Sequence, residues 1–154
     1  MKFQFAALYL LAFMSSGCSR AGSRQDELMD EIERSVVLPK GAERLAAYGR
    51  YYAFSDRQTV VASYLLPLPV PSFDEGCEEM SEDLSSRPCT KQEVATMRAS
   101  SARDAAARTP PGKRRWLSST KHLPFIADGG CMQVRIEFDP SAHRVLSVAC
   151  NGRM

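Results

Sequence analysis

The chain has 154 residues, of which 44% are hydrophobic and 25% are charged, and its formal net charge is +2. This size and balance predict one globular domain and exclude both a disordered tail and a multidomain protein. The 20 basic and 18 acidic residues are too nearly balanced for a dedicated nucleic-acid binder, which would be strongly basic, so we expect no nucleic-acid partner.

The first 17 residues have the pattern of a secretory signal peptide. Lys2 precedes an apolar run from Phe3 to Met14, and small residues follow that run. A helix that spans a bilayer needs about 20 apolar residues, so the run is too short for a stable anchor. We therefore predict that residues 1–17 direct export and are removed, with a buried core helix as the less favoured alternative.

The segment that follows this run, Ser15-Ser16-Gly17-Cys18, resembles the lipobox of bacterial lipoprotein precursors. Two small residues and the Cys match that family, whereas Ser15 stands where a Leu is usual. The resemblance implies that Cys18 is lipidated and anchors the mature chain in a membrane. Ser19, which is not Asp, implies the periplasmic face of the outer membrane. Because Ser15 and Gly17 also suit an ordinary signal peptidase, a free periplasmic protein remains the alternative.

The mature chain is predicted to begin with a tether, residues 18–24, followed by an amphipathic helix. Leu28, Met29, Ile32 and Val36 recur at helical spacing, and acidic residues fill other positions of these turns. A nearby proline ends the pattern, which leaves a helix of roughly 10–12 residues.

Two segments rich in Tyr, Phe and Val, residues 48–54 and 59–66, predict a β-hairpin. We expect its tyrosines to pack in the core rather than to form a ligand surface. They are Tyr48, Tyr51, Tyr52 and Tyr64.

Residues 67–112 have the composition of an insertion. Alternating prolines open the segment, and six acidic residues follow between positions 74 and 83. Thr90 and Glu93 form a capping-box pattern, so residues 91–107 are predicted to be helical. Because this stretch has only two large apolar residues, we expect a loosely packed surface helix or partial disorder.

Residues 131–150 predict a second β-hairpin. Apolar and polar residues alternate from Met132 to Phe138, which is the period of a half-buried strand. Asp139-Pro140 then predicts a turn, and a second apolar run returns after it.

Register arithmetic brings two cysteines together in this hairpin. If Phe138 pairs with His143, Cys131 lies opposite Cys150, at the short end of disulfide geometry. A β-bulge near His143 would instead place the apolar residues of both strands on one face, and the sequence leaves the two registers open.

If Cys18 is lipidated, four other cysteines remain: Cys77, Cys89, Cys131 and Cys150. Export would place them where disulfides persist. Three pairings are possible, and proximity along the chain favours Cys77–Cys89 and Cys131–Cys150. Wide cysteine spacing and the lack of clustered histidines disfavour zinc, so we expect no metal and no other cofactor.

Together these elements predict an α+β domain over residues 25–154. An N-terminal amphipathic helix would pack on an antiparallel sheet of about five strands, stapled by disulfides. The segment from Lys113 to Leu117 supplies one strand, with Trp116 as an anchor on its inner face. The tail from Asp128-Gly129-Gly130-Cys131 to Cys150-Asn151-Gly152 is similar to the end of short uncharacterised secreted proteins of proteobacteria, which implies a fold but no activity.

Catalytic motifs are absent from the sequence. His143, Asp128 and Ser141 are a conceivable hydrolytic set and His122 is a further candidate, but nothing in the spacing requires an active site. Four arginines could gather on one sheet face and meet anionic lipid or an acidic partner, although a plain solvated face is favoured. They are Arg114, Arg115, Arg135 and Arg144.

The sequence therefore favours a non-enzymatic envelope lipoprotein. It would be an interaction or scaffold module, held to the membrane by its N-terminal lipid and able to contact an envelope protein. The first alternative is a secreted inhibitor or binder of a hydrolase that uses residues 67–112 as a reaching loop. A small hydrolase that uses His143 or His122 is the least favoured.

Overall fold

The computed structural model describes residues 19–56, 58–69, 72 and 76–152, and it describes side chains from residue 24 onward. The predicted signal peptide, residues 1–17, and the predicted lipidation site, Cys18, lie outside the described residues. The described chain is an α+β domain with a five-stranded sheet, two α-helices and two disulfides, which confirms the predicted class.

The elements follow one another in a simple order. The helices are α1 (Ser19–Ser35) and α2 (Lys91–Ala107), and two short 3-10 turns lie at Leu45–Ala47 and Thr120–His122. The strands are β1 (Gly49–Phe54), β2 (Val60–Leu65), β3 (Glu78–Met80), β4 (Ser86–Pro88), β5 (Arg114–Trp116), β6 (Gly130–Asp139) and β7 (Arg144–Asn151). Helix α1 begins at Ser19, within the segment predicted as a tether.

The main sheet has the order β5-β1-β2-β6-β7 and is mixed. Strand β5 runs parallel to β1, with Arg50 beside Arg114, so the prediction of a wholly antiparallel sheet was wrong. The reason is the long connection between β2 and β5. A parallel pair needs a crossover of a dozen or more residues, and the insertion carries the chain past β1 to its far side.

Helix α1 covers one face of this sheet. Its residues Leu28, Met29 and Ile32 are buried in one cluster with the even-numbered side chains of the central strands. Tyr52 belongs to that cluster, and Trp116 stacks on it with ring centroids 6.3 Å apart. Each large side chain buried in this way stabilises the fold by about 1.5–3 kcal/mol relative to exposure.

The C-terminal hairpin contains the β-bulge alternative rather than the simple register. Phe138 pairs with Val145, not with His143, and Ile136 pairs with Val148. Leu146 is the extra residue, so the bulge lies three positions beyond His143. It lets both valines pack against the core, which the simple register could not do because it placed Val148 on the face of the charged residues.

The opposite face of the sheet is also covered, over β1 and β2. The chain that returns from the insertion lies across it, and the Thr109 amide donates a 2.6 Å hydrogen bond to the Tyr51 hydroxyl. Farther along, the Ser63 hydroxyl donates to the Pro124 carbonyl at 3.2 Å. Gly49 permits the close approach, because a Cβ at this position would overlap the Thr109 carbonyl oxygen.

Candidate interaction surface

Residues 76–108 form an arm that buries none of its side chains. It consists of the β3–β4 hairpin and helix α2, and every residue of both strands is exposed. Helix α2 likewise has no buried residue along its 17 positions. The arm therefore adds no buried side chain to the core, although its backbone forms regular secondary structure.

A disulfide closes the base of the arm. Cys77 and Cys89 are bonded with their Cα atoms 5.4 Å apart, as the sequence predicted. Beside the bond, the Cys89 amide donates to the Cys77 carbonyl at 2.9 Å. The cross-link fixes the two ends of the hairpin without help from a hydrophobic core.

An ion-pair cluster joins the hairpin to helix α2. Arg87 of β4 donates to Glu93 at 2.8 Å and also pairs with Glu79 of β3. Glu93 in turn accepts from the Thr90 amide at 2.7 Å, which completes the predicted capping box. The hydrogen bond from Arg87 is the main reason that the pKa of Glu93 lies well below its usual range. The Glu93 carboxylate therefore stays charged in moderately acidic solution, and the ion-pair cluster stays intact.

The apex of the hairpin presents an apolar residue in a fixed turn. Leu84 has a φ of 65° and is 80% exposed, while Met80, at the end of β3, is 69% exposed. Asp83 Oδ1 accepts from the Ser85 hydroxyl at 2.6 Å and from the Ser85 amide at 3.0 Å, bonds that lower the pKa of Asp83. Acidic residues flank these two apolar residues in the sequence. They are Glu78, Glu79, Glu82 and Asp83.

The hydrolytic candidates are not brought together. His143 Nδ1 lies 2.6 Å from Glu31 of helix α1, so it links the β6–β7 turn to the helix. Ser141 donates to Asp139 at 2.6 Å, and Asp128 lies against Gly152. Ser141 and His143 share the β6–β7 turn but bond to different partners, and Asp128 lies at the other end of the hairpin, so the three form no hydrogen-bonded set.

The other histidine, His122, has one long side-chain contact among the described residues. His122 Nδ1 lies 3.3 Å from the Ser118 hydroxyl at an exposed position. No acidic residue among those described orients this ring, so the pair lacks the third group of a nucleophile–base–acid arrangement.

The four arginines do not share one face. Arg114 lies in edge strand β5 and pairs with Asp30 of helix α1, whereas Arg144 lies in β7, at the opposite edge. Arg115 donates to the Ala107 carbonyl at 3.2 Å, and Arg135 contacts Glu137 at 3.4 Å. The idea of a gathered basic face was therefore wrong, because the sheet order could not be derived from the sequence.

The second disulfide holds the C-terminal hairpin. Cys131 and Cys150 are bonded with Cα atoms 4.5 Å apart, which confirms the predicted pairing. The register between them is irregular, since β6 has three more residues than β7 between the pairs Gly130–Asn151 and Val134–Cys150. Tyr48, buried below, donates to the Cys131 carbonyl at 2.8 Å.

A buried polar network went unnoticed in the sequence. Arg50 pairs with Glu33 of helix α1 at 2.8 Å, with side chains only 10% and 16% exposed. Tyr52 donates to Glu33 at 2.7 Å and lies 3.1 Å from the Tyr64 hydroxyl. Burial raises the pKa of both tyrosines, so their hydroxyls keep their protons. The only signal in the sequence was an acidic residue one position beyond Ile32 on the buried side of the helix.

Comparison of the chain with protein-family models, curated proteins and solved structures finds no match. Neither helix in the described part of the chain combines the length and hydrophobicity of a membrane span.

Proposed function

We propose that this protein is an exported, non-enzymatic binding module that contacts an envelope protein through the arm of residues 76–108. The observation that carries the proposal is the arm itself, which is ordered by its own cross-links and exposes all of its hairpin to solvent. A segment that the core does not need for burial, but that is held in one conformation, has the properties of a recognition element.

The chemistry of the arm agrees with protein recognition. Leu84 in the turn and Met80 at the end of β3 supply exposed apolar surface, and acidic residues flank both in the sequence. Apolar anchors with a polar rim are the usual anatomy of a protein–protein contact. Because the turn and the disulfide already fix the hairpin, binding would lose little conformational entropy.

Photo-crosslinking in intact cells tests the arm directly. A photoreactive residue at position 84 of the full chain is expected to give a discrete protein adduct, and Cys77→Ser/Cys89→Ser should remove it. The matched control places the same residue at position 146, where Leu146 is also exposed but lies on β7. Absence of an adduct at position 84, or an identical adduct from position 146, would contradict the proposal.

A hydrolase inhibitor is the second candidate function. It is favoured by Leu84, which projects from a closed loop at a positive φ and so suits insertion into a cleft. On this hypothesis the crosslinked partner is a hydrolase, and purified protein inhibits it whereas Leu84→Asp does not. A partner without hydrolytic activity would leave the scaffold function in place and end the inhibitor hypothesis.

We also propose that the chain is anchored by lipid on Cys18, at the periplasmic face of the outer membrane. The support is the lipobox-like segment and the cysteine count: the two disulfides occupy the other four of the five cysteines. Helix α1 would then connect the lipid directly to the folded domain. Labelling with a fatty-acid probe should mark the wild type and not Cys18→Ala, and label retained by Cys18→Ala would refute the site.

A further inference from the structure

Phe125 is an aromatic residue in an unusual position, with 75% of its surface exposed. It lies at a cleft of ≈ 180 Å³ between the loop after β5 and the outer face of β2 and β6. Thr120, Arg135 and Asn151 line the same cleft. An aromatic ring beside a concave surface with a few polar groups is the usual form of a small-ligand site.

The loop that carries Phe125 is held by a buried amide. Gln133 is only 4% exposed, and its Nε2 donates to the Ser63 hydroxyl at 2.7 Å and to the Pro124 carbonyl at 2.5 Å. Its Oε1 accepts from the Ile126 amide at 3.0 Å. Both neighbours of Phe125 in the chain are therefore fixed on the sheet, which preorganises the cleft.

Three polar groups of the cleft are available to a ligand. Asn151 uses its Nδ2 to reach Gln133 at 2.9 Å, but no group in the described part of the chain bonds to its Oδ1. The Thr120 hydroxyl is likewise without a partner among the described residues. The Arg135 side chain is 60% exposed, and its one contact within the described ranges is with Glu137 at 3.4 Å, so most of its N–H groups face solvent.

We propose that this cleft binds a single sugar ring of a glycan. The C–H face of the ring would stack on Phe125, and its hydroxyls would bond to Thr120 and to Asn151. Arg135 would take a hydroxyl or a carboxylate of the same sugar. This inference is independent of the arm, which lies in a different part of the fold.

Size and charge favour a sugar over other ligands. A cleft of ≈ 180 Å³ suits one small ring and not an extended peptide. Its polar groups are hydroxyls and amides with one guanidinium, and Glu137 partly offsets that charge. A polyanion would need several cations instead.

Amide-resolved NMR titration of the full folded chain tests the site. The probes are triacetylchitotriose, for a neutral N-acetylated glycan, and glucuronate, for an acidic sugar. Either probe should shift the amide signals of residues 120–126, 133–135 and 151. Selective binding of glucuronate would assign Arg135 to a carboxylate, and Arg135→Gln should then weaken that binding.

Matched variants separate a built site from adventitious binding. Phe125→Ala should weaken binding about tenfold, equivalent to about 1.4 kcal/mol, whereas Phe125→Tyr should keep it. The melting temperature of both variants should equal that of the wild type, because Phe125 is exposed. Val37→Ala, at a position 83% exposed and just beyond helix α1, serves as the control without effect. Failure of both sugars to bind at millimolar concentrations, or binding that survives Phe125→Ala unchanged, would overturn the proposal.

Discussion

Glu33 and Arg50 show how a single ion pair attaches the first helix to the sheet. Both side chains are largely buried, and Arg50 also donates to the Gly112 carbonyl at 2.8 Å, while its Nε has no partner among the described residues. A buried charge is tolerated only while its partner is present. The pair therefore fixes where helix α1 sits more than it adds net stability.

Removing one member of this pair should be costly. We predict that Glu33→Leu lowers the free energy of unfolding by about 3 kcal/mol, because it leaves the Arg50 guanidinium buried without its counter-ion. The double variant Glu33→Leu/Arg50→Met should lose at least about 1 kcal/mol less than the sum of the two single variants. Urea unfolding measures all three, and strict additivity would contradict the described pairing.

Gly49 is the residue where close packing of two backbones is most demanding. Gly49→Ala would place a methyl group against the Thr109 carbonyl, so we predict a loss of about 1–3 kcal/mol in thermal or urea unfolding. If Gly49→Ala were as stable as the wild type, the backbone at Thr109 would not lie against β1 as described.

At the scale of elements, the two disulfides have different tasks. The Cys131–Cys150 bond ties core strands over a sequence separation of 19, whereas Cys77–Cys89 closes a hairpin that buries nothing. The first belongs to the cooperative fold, and the second belongs to the arm alone.

Paired replacements should separate these tasks. Cys131→Ser/Cys150→Ser is predicted to lower global stability by about 3 kcal/mol, as expected for a loop of this length. Cys77→Ser/Cys89→Ser should leave the global unfolding transition in place but make residues 78–88 sensitive to limited proteolysis. If the second variant destabilised the whole domain as much as the first, the arm would not be independent of the core.

Local sequence patterns predicted most elements, and long-range packing decided the rest. The alternation from Met132 to Phe138 marked strand β6, and the Thr90 capping box marked helix α2. Gln133 lies on the polar side of that alternation, yet it is buried, because the loop that carries Pro124 folds back over it. The parallel strand β5 and the bulge at Leu146 depend in the same way on contacts that no local pattern contains.

The candidate surface was partly visible in the sequence. Proximity of Cys77 and Cys89 predicted their disulfide, and the scarcity of large apolar residues in positions 91–107 predicted a helix on the surface. The ion-pair cluster of Arg87 with Glu79 and Glu93 could not be predicted. It depends on both the register of the hairpin and the position at which helix α2 begins. Phe125 gave no signal, since a lone aromatic in a loop is equally compatible with burial.

At the scale of the whole molecule, five carboxylates with lowered pKa values govern how stability changes in acid. Hydrogen bonds lower the pKa of each: for Asp30 the largest cause is Arg114, and for Asp139 it is the Ser141 hydroxyl. The set is Asp30, Asp56, Asp83, Glu93 and Asp139. A depressed native pKa contributes stability above the ordinary carboxyl value, and this contribution is lost as the pH falls through the native value.

The melting temperature is therefore predicted to be nearly constant from neutral pH down to about pH 5 and to fall at lower pH. Asp139→Asn should reduce the size of that fall, because it removes one of the protonation steps. Calorimetry across this range measures both. A melting temperature that rises between about pH 5 and pH 3 would have the wrong sign for these carboxylates.

The central claim is that the chain leaves the cytosol and is stabilised there by two disulfides. The most direct measurement is to lyse cells in a thiol-alkylating reagent and determine the mass of the intact protein. We predict a chain that lacks residues 1–17 and has no alkyl group on Cys77, Cys89, Cys131 or Cys150. A full-length chain that carries an alkyl group on every cysteine would contradict the claim.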